Sequence, residues 1–142
     1  MRNRRAQRRF GLLAQALAER FLVERKGWHI LARNERSGRA EADLIGKAPD
    51  GSLRAVEVKG ARGAIDGEGN VLRAPSILPV EHLTREQMAR VARVLRDWRV
   101  KGGAHKKAGA GKWAVDVCLV IVDEQTARAR VEHLEALIEG QG

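Results

Sequence analysis

The stretch EADLIGKAPDGSLRAVEVK, Glu41 to Lys59, constrains this chain more than any other. It reads as two short strands around a tight turn. In APDGS, Pro49 pre-sets φ for the first turn position, Asp50 favours the second, and Gly51 accepts positive φ. That is the chemistry of a three-residue hairpin loop, a type I turn closed by a glycine bulge. The register follows: Ala48 faces Ser52, Asp43 faces Glu57 and Glu41 faces Lys59. Alternation then puts Glu41, Asp43, Glu57 and Lys59 on one face and Ala42, Leu44, Val56 and Val58 on the core face. A slip of one residue would drive charges into the core, so the pattern defends its own register.

Directly opposed side chains lie about 5 Å apart at Cβ, and two carboxylates at that distance repel. A site that keeps them together binds a cation or shares a proton. Carboxylate oxygens suit Mg²⁺ or Mn²⁺, ions that take one or two carboxylates beside substrate phosphate and water. Lys59, two residues past Glu57 on the same face, can hold a phosphate or orient a water. The plain alternative is a salt-bridged surface patch with Glu41 on Lys59 and Arg39 or Arg54 nearby.

Charge bears on that choice. Lys and Arg number 27 against 18 Asp and Glu, a net +9 with a pI near 10.8. A small domain this basic is expected to meet a polyanion, most commonly nucleic acid. Arginines crowd the first nine residues, and Lys106, Lys107 and Lys112 fall in the Gly- and Lys-rich stretch KGGAHKKAGAGK. Arg4, Arg5, Arg8, Arg9 and those lysines are the candidate phosphate contacts, with Arg85, Arg90, Arg93 and Arg96 beside them.

The 142 residues suit one domain, 1–142, with a basic arm over 1–9 and a flexible loop over 100–112. Phe10, Leu13, Leu17 and Phe21 set one face of a first helix over 6–26, stopped at Gly27. WHILARN (28–34), AEADLIG (40–46) and LRAVEVK (53–59) are the first three strands, the first turning at ERSGR. A long Gly- and Pro-containing loop spans 60–83. Thr84 and Gln87 form a capping box for a second helix, whose stripe is Met88, Val91, Leu95 and Trp98. WAVDVCLVIV predicts a central strand added in parallel, and ARARVEHLEALIEG a short strand and a terminal helix. The result is an α/β domain around a mixed sheet flanked by helices, with an α-β-β-β-α-β core.

Several classes drop out. One cysteine, Cys118 in an apolar run, supports no disulfide framework and fits a reducing cytoplasm. His29, His82, His105 and His133 are too scattered in sequence for a structural zinc set. Lys112 is followed by Trp113 rather than Ser or Thr, so there is no phosphate-binding P-loop. No run approaches the ~18 apolar residues of a membrane span. With no Tyr and two Phe, a broad aromatic platform for single strands is not expected.

The pattern D-x13-E-x-K of Asp43, Glu57 and Lys59 resembles the core of the PD-(D/E)XK nuclease superfamily, whose restriction-endonuclease-like fold matches the order above. The chain is still more similar to the YraN-like family of small bacterial proteins, described as Holliday-junction-resolvase-like endonucleases. The resemblance runs through Gly11, GWHILARN (27–34), AEADLI (40–45), VEVK (56–59) and TREQ (84–87). It implies Asp43 and Glu57 as ligands of Mg²⁺ or Mn²⁺, with the Val58 carbonyl as a third. It implies that Lys59 positions water and stabilises charge, that Gln87 holds water or phosphate, and that Glu41 is an accessory acid. It further implies DNA as the partner, branched DNA as a substrate, and allows a homodimer. The chain departs from the family where Gln15 stands in place of a helix-one glutamate, and where Ala40 replaces a glycine. A neutral Gln15 argues against a second metal or a general base from that helix. Three readings therefore stand: metal-dependent phosphodiester hydrolysis, a nucleic-acid-binding module on a nuclease fold, and an interaction protein with a merely charged hairpin.

Overall fold

A computed structural model describes residues 3–73, 83–102 and 111–142. Helix α1 spans Arg4–Lys26, and strand β1 spans His29–Ser37. Strands β2 (Ala40–Lys47) and β3 (Leu53–Arg62) follow. A small hairpin of β4 (Ala64–Ile65) and β5 (Val71–Arg73) precedes helix α2 (Arg85–Lys101). Strands β6 (Lys112–Asp123) and β7 (Arg128–Gln141) complete the order.

The five long strands form one sheet in the order β1-β2-β3-β6-β7. Strands β3 and β6 run parallel, and the other neighbours are antiparallel. Helix α1 covers one face, where Ala14, Ala18 and Leu22 meet Leu44, Val56, Cys118 and Val120. Helix α2 covers the other, where Met88, Val91, Leu95 and Trp98 meet Ile45, Leu53, Ala55, Val115 and Val117. Both faces are thus packed, which is why β6 reads as a near-continuous apolar run. This is the restriction-endonuclease-like arrangement of a mixed sheet between helices.

The hairpin forms as its turn residues require. Gly51 has φ 87°, its N–H donates to Ala48 O at 2.9 Å, and Ala48 N–H donates to Ser52 O at 3.0 Å. The β2–β3 register is Leu44 with Val56 and Gly46 with Arg54, as the alternation predicts. Thr84 caps α2 through the predicted box, with Thr84 Oγ1 accepting from Gln87 N–H and Gln87 Oε1 accepting from Thr84 N–H, each at 3.1 Å.

Four expectations are corrected. The first arginines are not an arm: Asn3 Oδ1 accepts from the N–H groups of Arg5 and Ala6, so α1 starts at Arg4 and carries Arg5, Arg8 and Arg9 on its opening turns. On α1 Leu13 is exposed, Phe10, Leu17 and Phe21 pack half-buried on the core as expected, and the fully buried residues are Ala14, Ala18 and Leu22. Small residues are needed there because a Cβ on Gly60 would lie 2.8 Å from Ala14 Cβ, so helix and strand touch almost backbone to backbone. Strand β1 runs on to Ser37 and turns at Gly38, whose φ is 60°. The terminal helix is absent, since residues 128–141 are one strand paired along β6. HLEALIE contains good helix formers, but the exposed edge of β6 offers a backbone partner for every other residue, and tertiary pairing overrides propensity. Pro75, Pro79, His82 and His105 lie outside the described residues.

Candidate functional site

Strands β2 and β3 part company at the predicted acids. Their ladder runs from Lys47–Leu53 to Leu44–Val56, whereas β2 continues along β1 to Ala40 and β3 continues along β6 to Arg62. At this fork the Asp43 carboxylate takes the place of a backbone acceptor, its Oδ2 receiving Val58 N–H at 2.7 Å. Asn34, on β1 beside the fork, adopts the left-handed conformation with φ 52°. Ala42 packs with the α2 side rather than with Leu44 on the α1 side, so the strand rolls across the fork and the simple two-face alternation ends there.

Asp43 and Glu57 lie side by side, close enough for each carboxyl to act on the other, and Lys59 Nζ lies 3.5 Å from Glu57 Oε1. Glu41 pairs with Arg36 Nη2 at 2.9 Å rather than with Lys59. Burial holds the Asp43 carboxyl above its ordinary range, the charge of Glu41 adds to this, and Val58 N–H and Lys59 pull it back. Burial likewise pushes Glu57 up to about 7, the Asp43 charge reinforces it, and Lys59 opposes it. Two adjoining carboxylates in a shielded place hold a proton between them unless a cation takes its place. The donor chemistry therefore fits a divalent ion.

Two hollows open on this pair. One, of about 550 Å³, is lined by Arg8, Gln15, Asn34, Arg36, Asp43 and Glu57 among others. The second, of about 250 Å³ on the α2 side, is lined by Glu57, Lys59, Gln87 and Arg90, and Glu41 borders both. Asp43, Glu57, Lys59, Glu41 and Gln87 are thus brought together, and Gln15 stands where α1 faces the acids. Of the predicted phosphate contacts, Arg8 borders the acids; Arg4, Arg5 and Arg9 are exposed on α1 and line neither hollow. Lys112 lies elsewhere, beside Asp50, Ser52 and Arg54. Lys106 and Lys107 lie outside the described residues.

A second polar cluster went unpredicted. Asp116 is fully buried on β6 and is held by Arg54 Nη1 at 3.0 and 3.1 Å, by His133 Nε2 at 2.7 Å, and by Ala136 N–H at 2.9 Å. His133 Nδ1 is buried with no partner, and its ring meets Trp28 edge-on at 5.4 Å. Among the described residues, Asp116, His133 and Glu135 are the three acidic or histidine side chains whose donor atoms converge within 4.8 Å. By donor type and spacing they can hold a metal. Arg54, however, already sets a cation on both Asp116 oxygens, and an ion there would have to displace it. The signal in the sequence was a single acid inside WAVDVCLVIV, since a buried carboxylate demands a partner.

No helix among the described residues is long and apolar enough to cross a membrane. Residues 14–120 match the model of the uncharacterised protein family UPF0102. No match to a curated protein was found.

Proposed function

The chain belongs to UPF0102, the YraN-like family, over residues 14–120, and from that membership we propose that it is a metal-dependent endonuclease acting at the fork between β2 and β3. The observation that carries this reading is the placing of Asp43 and Glu57, two shielded carboxylates side by side in the lining of one hollow, with Lys59 Nζ 3.5 Å from Glu57 Oε1. A divalent ion, Mg²⁺ or Mn²⁺, supplies Lewis-acid activation of the phosphate and of water when bound. Asp43 and Glu57 would hold it. Asp43 is fixed for that task by Val58 N–H. Lys59 orients the attacking water and stabilises charge as it develops on the phosphate. Gln87, on the α2 wall, hydrogen-bonds water or a phosphate oxygen, and Glu41 tunes the field on Asp43.

Arg8 and Arg36 on the α1 side and Arg90 on the α2 side give the acids a basic surround. They would draw the backbone of a nucleic acid toward the fork without reading its sequence. DNA, branched DNA among its forms, is the substrate this reading favours, acted on in the cytoplasm. The buried thiol of Cys118, pushed up to about 12 by burial, is inert and suits a reducing compartment.

The test is cleavage of labelled single-stranded, duplex and four-way-junction DNA with Mg²⁺ or Mn²⁺, wild type against Glu57→Ala. Cutting that needs metal and vanishes in the variant supports the reading. A second reading has its own observation. Gln15 places a neutral amide on the α1 wall facing the acids, which favours a binding module with little activity. Salt-sensitive binding with no cutting by either protein would select it.

A further inference from the structure

Along α2 lies a third hollow of about 280 Å³, which none of the site acids lines. Ala89, Ala92 and Leu95 give it an apolar floor, and the half-buried Trp113 forms a wall. Trp113 is seated by its β7 partner: a Cβ on Gly140 would lie 2.6 Å from the indole, so the ring rests against glycine backbone. Among the described residues, the charged side chains lining this hollow are Arg93, Arg96 and Arg99. Arg99 Nη1 is held by Gly142 O at 2.9 Å. Arg96 has only a loose contact with Asp97 at 3.8 Å, and Asp97 is itself engaged by the Ser37 hydroxyl.

An aromatic wall, a floor of small apolar side chains and two exposed arginines, Arg93 and Arg96, on the rim suit a planar ring that carries an anion. We propose that this hollow holds one unpaired nucleotide of a nucleic-acid strand, its base against Trp113 and its phosphate at Arg93 and Arg96. Stacking on one aromatic ring is tolerant of base identity, and two arginines supply the backbone charge. The inference rests on nucleic acid as the partner, but not on hydrolysis. It also locates unpaired bases at a single point rather than on a broad platform.

Tryptophan emission tests it in EDTA, where no cleavage can occur. Trp28 and Trp98 are 3% and 5% exposed, so a ligand at the surface is reported by Trp113. Titration with a short oligothymidylate should quench emission, whereas a blunt duplex with the same number of phosphates should bind by anisotropy without quenching. The double variant Arg93→Gln/Arg96→Gln changes exposed side chains only and should lose roughly ten-fold in oligothymidylate affinity while keeping its melting temperature. Trp113→Leu should lose both quenching and a similar factor. Unchanged emission at saturating oligothymidylate, equal quenching by the duplex, or full affinity in the double variant would overturn the proposal. Tight binding of thymidine monophosphate with no gain for the strand would also overturn it, and mark a free-nucleotide site instead.

Discussion

Two acid clusters sit on neighbouring strands and have opposite characters. Asp116 meets a guanidinium, an imidazole and a backbone N–H; its carboxylate and the His133 ring are shielded from water, and Arg54 is largely so. Asp43 and Glu57 meet chiefly each other, with one lysine at the edge and an open hollow on either side. The first cluster is compensated within the chain. The second is short of positive charge, so it keeps a proton or takes a cation. Acidic residues inside strands are therefore not themselves the mark of a site; the mark is the absence of enough partners where water and ligand can enter.

The largest effect that could break this comparison is in the closed cluster. Asp116→Ala leaves the buried His133 ring and the largely shielded Arg54 guanidinium without their shared carboxylate, and should cost about 3–5 kcal/mol in urea unfolding. A loss under 1 kcal/mol would mean that Arg54 finds solvent and the cluster is not closed. In the open cluster the effects are reversed. Glu57→Ala should lower cleavage by about 10²-fold or more, yet leave the metal-free protein as stable as before or more so, because it removes a like-charge neighbour of Asp43. Destabilisation by Glu57→Ala matching that of Asp116→Ala would erase the distinction.

The pH dependence sharpens it. Glu57 titrates near 7 in the folded chain against an ordinary 4.5. Between those values the folded state binds more protons than the unfolded one, so metal-free stability should fall as pH rises through that window. Mg²⁺ or Mn²⁺ should raise the melting temperature at pH 8 and do little at pH 5. Glu57→Gln should flatten the pH slope and abolish the metal response. An identical metal shift at both pH values would place the ion elsewhere, with the Asp116 group the first alternative. The smallest effect expected is from Gln15→Glu, which restores a carboxylate to the α1 wall. A few-fold gain in cleavage with Mn²⁺ is expected, measured beside wild type on the same substrate; no gain would make the amide a neutral occupant of that wall.

The hairpin was readable because its information is local. Pro49, Asp50 and Gly51 specify the turn, and alternation on either side of it specifies the partners. The capping box on α2 was readable for the same reason. Asp116 was not, since Arg54 lies 62 residues before it and His133 lies 17 after it. Sequence spacing carries no sign that these meet. The α1 stripe was legible in part: Phe10, Leu17 and Phe21 do pack on the core and Leu13 does not, while the deepest positions go to the small Ala14 and Ala18 because helix and strand approach closely at Gly60. The roll at Ala42 depends on β2 and β3 leaving one another for other partners, which no single strand reveals. The last strand was misjudged because its residues suit a helix and only the β6 edge decides otherwise.

The turn at Ala48–Ser52 has one more implication. The ladder below it is anchored by counting, so the juxtaposition of Asp43 with Glu57 depends on the number of residues between them as much as on their kind. An extra residue among positions 49–51 would transpose every pair down to the fork and leave the composition almost untouched. The same insertion among positions 66–70, in the small β4–β5 turn, would shift nothing at the acids. On the proposed function, length at that one turn is a functional property of this chain, and a deletion there would be as damaging as the loss of a carboxylate.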